Sequence, residues 1–364
     1  MSSKTPQPIY ERGNIGRKAW VDFAKGVAIL MVVYYHSALY LSHVGVGGTV
    51  GVLKAVGELY AMPVFFLIAG LMNFRTSTWT FGQTWRRRLW PILYIYILWS
   101  VIRAVFYLVV PGINGELGEL SATNPLSLAL ILVWPSSSYW FMYALFLFTL
   151  LAWLLRRVPR WLQVGGLAIV STLVTSGLLS AQNIGWNRIL ALAVFFVAGT
   201  VYAKQVNALI DRAGSVALLA AILAFVISCG ALVVLHLRFV PLVVLAGQVA
   251  AVAVGIFASK YLVRLRPLRF VSPLGKQSLQ IYLFHLYIIV PVTGLIGLLY
   301  PDWPRPVNVL VQFAVVAFTV LMSLLLARLT QRARWLLVPP SLPRASARSS
   351  DPSGDVRKAA RDRT

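Results

Sequence analysis

Ten apolar runs long enough to cross a lipid bilayer follow one another along the chain, near residues 20–41, 53–73, 90–110, 138–155, 161–180, 189–203, 215–235, 241–260, 277–300 and 307–327. A helix of about 20 apolar residues spans the hydrocarbon core. No water is present there to satisfy a backbone amide, so each crossing must close its hydrogen bonds internally. A membrane barrel would show short segments of alternating polarity instead, and these runs are continuous. Composition agrees, with 59% of residues hydrophobic and 12% charged, against roughly a quarter charged in a soluble domain. The expected fold class is all-α, a polytopic integral membrane helical bundle of about ten transmembrane helices. The bundle is expected to occupy residues 20–327, after an N-terminal segment, 1–19. A basic tail rich in Arg, Ser and Pro follows, 328–364, and is expected to be disordered.

The formal charge of +23 would point to nucleic acid in a soluble chain. Here the basic residues are segregated by connection, which accounts for the charge without a nucleic-acid partner. One set of connections holds Arg12, Arg17 and Lys18, then Arg75 and Arg86–Arg88, then Arg156, Arg157 and Arg160, Lys204 and Arg212, and Arg264, Arg266 and Arg269. The alternate set holds Lys54, Arg188, Arg238 and Arg305, one each, together with Glu116 and Glu119. Lys and Arg accumulate on the cytoplasmic side, so both termini are expected there, in the cell (inner or plasma) membrane. Trp134, Tyr139, Trp140, Trp186 and Trp303 fall near the outer boundary, where aromatic belts form. No cleavable signal peptide is expected, because the first apolar run continues past any small-residue cleavage pattern. The single cysteine, Cys229, permits neither an internal disulfide nor a thiolate cluster, and no metal is expected. The stretch GVGGTVG, 45–51, lacks the Gly-Lys-Ser/Thr of a phosphate loop.

Ionisable groups inside a membrane are costly and mark function by default. Asp22, Lys25, His36, Glu58, Arg103 and His285 form that set. Lys25 and His36 are eleven residues apart in VDFAKGVAILMVVYYHS, 21–37. On a 3.6-residue repeat they return to nearly one face, about 16 Å apart. Asp22 shares that face to within roughly 40°. One stripe thus carries a cation near the inner boundary and an imidazole toward the outer half. Simpler roles exist for each: Asp22 as a complement to the helix N-terminus, Lys25 as a snorkelling lysine, His36 as a hydrogen-bonded packing group. Glu58 lies near the outer start of the second span, where it can serve His36 or pair with Lys54 at i, i+4. Arg103 is expected to face an aqueous cavity or a carboxylate. His285 shares a helix face with Tyr282 and Ser278.

The first helix resembles that of the membrane-bound acyltransferase 3 family, whose signature is Arg or Lys, ten residues, then His. Lys25 and His36 match it. MPVFFLIAGLMNF, 62–74, resembles the family's Pro-x-Phe-Phe-x-x-Ser-Gly segment, with Ala69 at the serine. WRRRLWP, 85–91, resembles its basic pair before a proline, with Arg88 at the second position and Trp85 at the first. SYWFMYALF, 138–146, is similar to its Trp-Phe helix start, and LGKQSLQIYLFH, 274–285, to its late Leu-Gly-x-x-Ser-Leu-x-Ile-Tyr-Leu-x-His motif. The branch most resembled is that of sugar O-acetylases of the fucose 4-O-acetylase type, whose His-Met-Pro reads Ala61-Met62-Pro63 here.

The resemblance implies an integral membrane O-acyltransferase. It would move an acyl group, acetyl above all, from cytoplasmic acyl-CoA to a hydroxyl of a cell-envelope carbohydrate. Arg86, Arg87 and Arg88 would hold the CoA phosphates through charge-assisted contacts, with Lys25 as a further donor-side cation. His36 is the expected base, its imidazole largely neutral near an ordinary pKa of about 6.5, with Glu58 as its catalytic partner. Asp22, Arg103, Tyr282 and His285 are expected around the substrate cavity. A proton-coupled transporter using His36, Glu58, Arg103 and His285 as a pathway is the alternative. The acceptor, the acyl chain and the oligomeric state are left open by the sequence.

Overall fold

A computed structural model describes residues 19–46, 51–110, 124–135, 138–299 and 303–340, with the backbone alone for 51–56, 125 and 127. It is helical throughout, with no strand among the described residues. The long helices are α1 (Ala19–His43), α2 (Gly51–Met72), α3 (Trp90–Val109), α4 (Trp140–Leu154), α5 (Arg160–Thr175) and α6 (Ile184–Val201). They continue as α7 (Ala203–Arg212), α8 (Ser215–Cys229), α9 (Val243–Leu262), α10 (Val271–Lys276), α11 (Ser278–Leu299) and α12 (Arg305–Leu329). Their boundaries follow local chemistry. Asn183 caps α6 by accepting from the Trp186 amide at 2.9 Å, a bond that satisfies one orphan amide of the first turn. Pro304 ends the preceding extended stretch, and a proline within the first turn of α12 gives up no helical hydrogen bond.

Eight helical stretches among the described residues are long and apolar enough to cross a membrane. They include a continuous Phe81–Val109 around α3 and Ser215–Val234 around α8. The described apolar part of α2 is shorter, Gly57–Met72, and α5 has 16 residues. These two helices occupy the second and fifth apolar runs of the sequence. The chain is thus an all-α polytopic bundle, and the helices differ greatly in how far they are enclosed. The apolar window of Ile184–Val201 is 61% buried inside the protein, whereas that of Ser215–Val234 is 6% buried. α6 is therefore a central helix, and α8 stands at the rim against α9.

The centre is set by close backbone crossings. A methyl on Gly26 would meet the Val271 carbonyl oxygen at 2.1 Å, and one on Gly275 would meet the Asp22 carbonyl oxygen at 1.7 Å. Only glycine permits such an approach. α10 is thereby fixed against the first turns of α1, and α11 follows after one intervening residue. Further along, His36 of α1 touches His285 of α11. Residue numbers rise together along both helices, so α1 and α11 run in the same direction, as seven crossings between them allow. α2 runs the opposite way beside α1: Gly57 packs on Met31, while the Tyr60 hydroxyl donates to the Ala24 carbonyl at 3.2 Å. At Gly70, in the MPVFFLIAG stretch, a methyl would meet the Phe196 carbonyl of α6 at 2.1 Å.

The first residues of the basic tail are ordered. α12 continues to Leu329, and Thr330–Arg332 and Arg334–Leu336 form 3-10 turns. The Trp99 indole N–H of α3 donates to the Leu336 carbonyl at 2.9 Å, and Leu336 and Leu337 pack on the core. Leu336 and Leu337 supply this partial burial, while Trp335 and Val338 on either side stay exposed. Residues 341–364, the N-terminal segment up to Lys18, and Glu116 and Glu119 lie outside the described residues.

Candidate functional site

α1 brings Lys25 and His36 onto one stripe, as its uninterrupted helical geometry requires. His36 is half-buried, and its Nδ1 lies 2.9 Å from the Val32 carbonyl oxygen one turn back. A carbonyl can only accept, so Nδ1 carries the hydrogen and Nε2 keeps the lone pair. His285 on α11 is arranged alike, with Nδ1 2.6 Å from the Tyr282 carbonyl. It is 1% exposed, and its Nε2 is buried without a hydrogen-bond partner. The two rings meet edge to face, with centroids 4.9 Å apart at 62°. Each imidazole thus presents a fixed lone pair on Nε2, that of His36 on a half-buried ring and that of His285 on a sealed one.

Aromatic side chains hold this pair. Tyr35 packs edge-on to His36 at 5.3 Å, and Tyr282 stacks on His285 at 5.8 Å. The Tyr282 hydroxyl donates to the Ser138 carbonyl at 2.6 Å. The Tyr139 hydroxyl lies 3.0 Å from both the Leu283 carbonyl and the Tyr287 hydroxyl. With one proton to give, Tyr139 donates to Leu283 and accepts from Tyr287. The turn before α4 is therefore stitched to α11 on either side of His285.

Two guanidinium groups stand on helices packed near the pair. On α3, Trp99 packs on Phe284 at 5.0 Å and Phe106 on Tyr287 at 4.8 Å. Arg103 lies between those contacts, so it is level with His285. It is 6% exposed, and its guanidinium lies 5.7 Å from the Tyr107 ring centroid. Arg188 of α6 is within electrostatic range of His36 and sits over the Trp140 ring at 5.6 Å. In the sequence Arg188 serves only as a marker of orientation; its place near the start of a central helix, two residues after Trp186, is the signal that points to the site.

The other predicted residues divide. Asp22 is buried, with its backbone against Gly275, and Lys25 is half-buried one turn further. Both stand at the end of α1 away from His36. Arg86 and Arg87 are exposed on a π-helical turn, Trp85–Leu89, with Arg87 over the Trp79 ring at 5.2 Å. Arg88 turns back and donates to the Met72 carbonyl at 2.9 Å, which caps the end of α2. Glu58 is exposed. The antiparallel course of α2 sets it on the Lys25 side of His36, and the group bonded to His36 Nδ1 is the Val32 carbonyl rather than a carboxylate. The Lys54 side chain lies outside the described residues. No group of three or more potential metal ligands occurs among the described residues.

The site therefore combines a tautomer-fixed, half-buried imidazole, a second sealed imidazole, and the Arg188 guanidinium within electrostatic range, all inside a membrane bundle. Such a set can take a proton from a hydroxyl and stabilise developing negative charge. Comparison with known proteins matches neither a curated protein nor a solved structure. Comparison with protein families matches an acyltransferase domain over residues 18–328, which takes in every residue of this site and favours acyl transfer over transport. That match covers most of the chain, and the protein belongs to the acyltransferase 3 family of membrane acyltransferases.

Proposed function

We propose that this acyltransferase moves an acyl group, acetyl above all, from cytoplasmic acyl-CoA to a hydroxyl of a cell-envelope carbohydrate. The observation that carries this reading is the His36 tautomer. Nδ1–H is held by Val32, which leaves Nε2 as a base on the same helical stripe as Lys25. His36 Nε2 takes the acceptor hydroxyl proton as the oxygen attacks the thioester carbonyl. The C–S bond then breaks, and the thiolate recovers the proton. Arg188, within electrostatic range of His36, offsets the oxyanion charge, and Arg103 lines the substrate cavity.

The donor enters from the Lys25 end. Arg86 and Arg87 bind CoA phosphates, Lys25 adds a further cation, and Arg88 supports the turn that carries them. Charge segregation in the sequence supports placing that end, and both termini, in the cytoplasm of a cell (inner or plasma) membrane. Within the family, the Ala61-Met62-Pro63 stretch supports the sugar O-acetylase branch of the fucose 4-O-acetylase type.

Reconstituted protein with labelled acetyl-CoA and envelope glycans tests this. Wild type is expected to transfer label, and His36→Ala to lose about 10²–10⁴-fold in rate while still binding the donor. Full activity in His36→Ala would remove His36 as the base. Failure of wild type to turn over the thioester with any glycan would remove the acceptor class.

A further inference from the structure

His285 is an unusual group to find beside a base. Its Nδ1–H is engaged by the Tyr282 carbonyl at 2.6 Å, its ring is stacked on Tyr282, and the Tyr282 hydroxyl is anchored to Ser138. The lone pair on Nε2 is sealed from solvent with no donor. In a membrane interior an unmet acceptor is costly. The group beside it is His36, at a ring separation of 4.9 Å. Resting His36 has one hydrogen, already given to Val32, and so has none to offer.

That changes once His36 takes the acceptor proton. The imidazolium then carries a positive charge beside an electron-rich neutral imidazole, while its new Nε2–H stays directed at the acceptor oxygen and the sulfur. We infer that His285 is the positioning residue for His36, its buried Nε2 lone pair receiving the charged form of His36 while the proton resides there. The acceptor O–H bond breaks as its oxygen bonds to the acyl carbon, and the electrons of that O–H bond remain on oxygen. The proton rests on His36, and it leaves with the CoA sulfur when the C–S bond breaks. His285 neither gains nor loses a proton overall. The contact is unmet in the ground state and met in the transition state, so it raises kcat without tightening substrate binding. Arg188, a cation within electrostatic range, opposes charge on His36, which makes a neutral neighbour more valuable.

This inference rests on His36 being the base, and the tests separate the two. His285→Phe keeps a ring on Tyr282 but has no lone pair, whereas His285→Gln keeps a side-chain acceptor. His285→Phe is expected to lower kcat by about 10²-fold, with KM for acetyl-CoA and for the glycan unchanged. His285→Gln is expected to recover most of that loss. Wild-type kcat in His285→Phe, with His36→Ala inactive, would overturn the role of His285 alone. A change confined to KM would make it a substrate-binding group and also overturn it. Should His285→Phe fail to fold, ¹⁵N spectra of histidine-labelled wild type decide the matter without activity. His285 is expected as the Nδ1–H tautomer, and an Nε2–H signal would overturn the proposal.

Discussion

Gly275 lies so close to Asp22 that an added methyl would stand 1.7 Å from the Asp22 carbonyl oxygen. The obstacle is backbone, which cannot swing aside. Gly275→Ala must therefore push α10 away from α1, and α11 carries His285 with it. Overpacking costs about 1–3 kcal/mol, seen as a lower melting temperature in detergent. A 1 Å misplacement of reacting groups can cost on the order of 10²-fold in rate, so activity is expected to fall further than stability. Gly275→Ala with unchanged melting and turnover would show that the crossing has slack.

The three arginines at 86–88 are expected to separate into two kinds. Arg86→Ala with Arg87→Ala should raise KM for acetyl-CoA about tenfold or more and leave melting unchanged, since both are exposed. Arg88→Ala removes the cap on Met72 and should cost about 1–3 kcal/mol. Thermal unfolding alongside donor titrations checks both halves. Equal KM effects from all three positions would mean that Arg88 leaves its cap to bind donor.

Removal of the tyrosine hydroxyls tests the stitching of α11 to the turn before α4. Tyr282→Phe frees the Ser138 carbonyl, and Tyr139→Phe frees those of Leu283 and the Tyr287 hydroxyl. Each is expected to cost about 0.5–1.5 kcal/mol. Contacts through neighbouring parts of one network are not additive, so the double variant should depart from the sum of the singles. Strict additivity would show that the two bonds act independently.

Truncation after Thr330 removes the acceptor of the Trp99 indole. A buried donor left unmet costs about 1–3 kcal/mol. Trp99→Phe in the truncated chain should recover part of that loss, because the orphan donor goes with it. Melting curves of the four combinations measure the coupling. A truncated chain that melts like the full one would mean that water serves Trp99 equally well.

The helices were legible because lipid leaves a long apolar run no other way to satisfy its backbone. α6 was placed near 189 from hydropathy, yet it starts at Ile184. The polar Asn183, Asn187 and Arg188 lowered the local signal while Asn183 was supplying the cap. Lys25 and His36 could be paired in advance because one helix carries both and its repeat is fixed. The meeting of His36 with His285 could not, since it depends on how Gly26 and Gly275 let two distant segments touch. Arg188 was hidden by its charge, which served equally well as an outer-side marker. Leu336 was hidden by the tail's overall composition, although four apolar residues in a row stand at 335–338.

The two histidines come from the first span and from one of the last, with most of the chain made between them. A ribosome adds about 5–20 residues per second, so on the order of ten seconds separate the emergence of His36 from that of His285. Throughout that interval α1 waits in the bilayer without the glycine-mediated neighbour that completes it. A nascent chain interrupted anywhere before α11 carries the Lys25–His36 stripe and still has no assembled centre. During biosynthesis the His36–His285 pair thus forms late, once all but the last part of the bundle has been made.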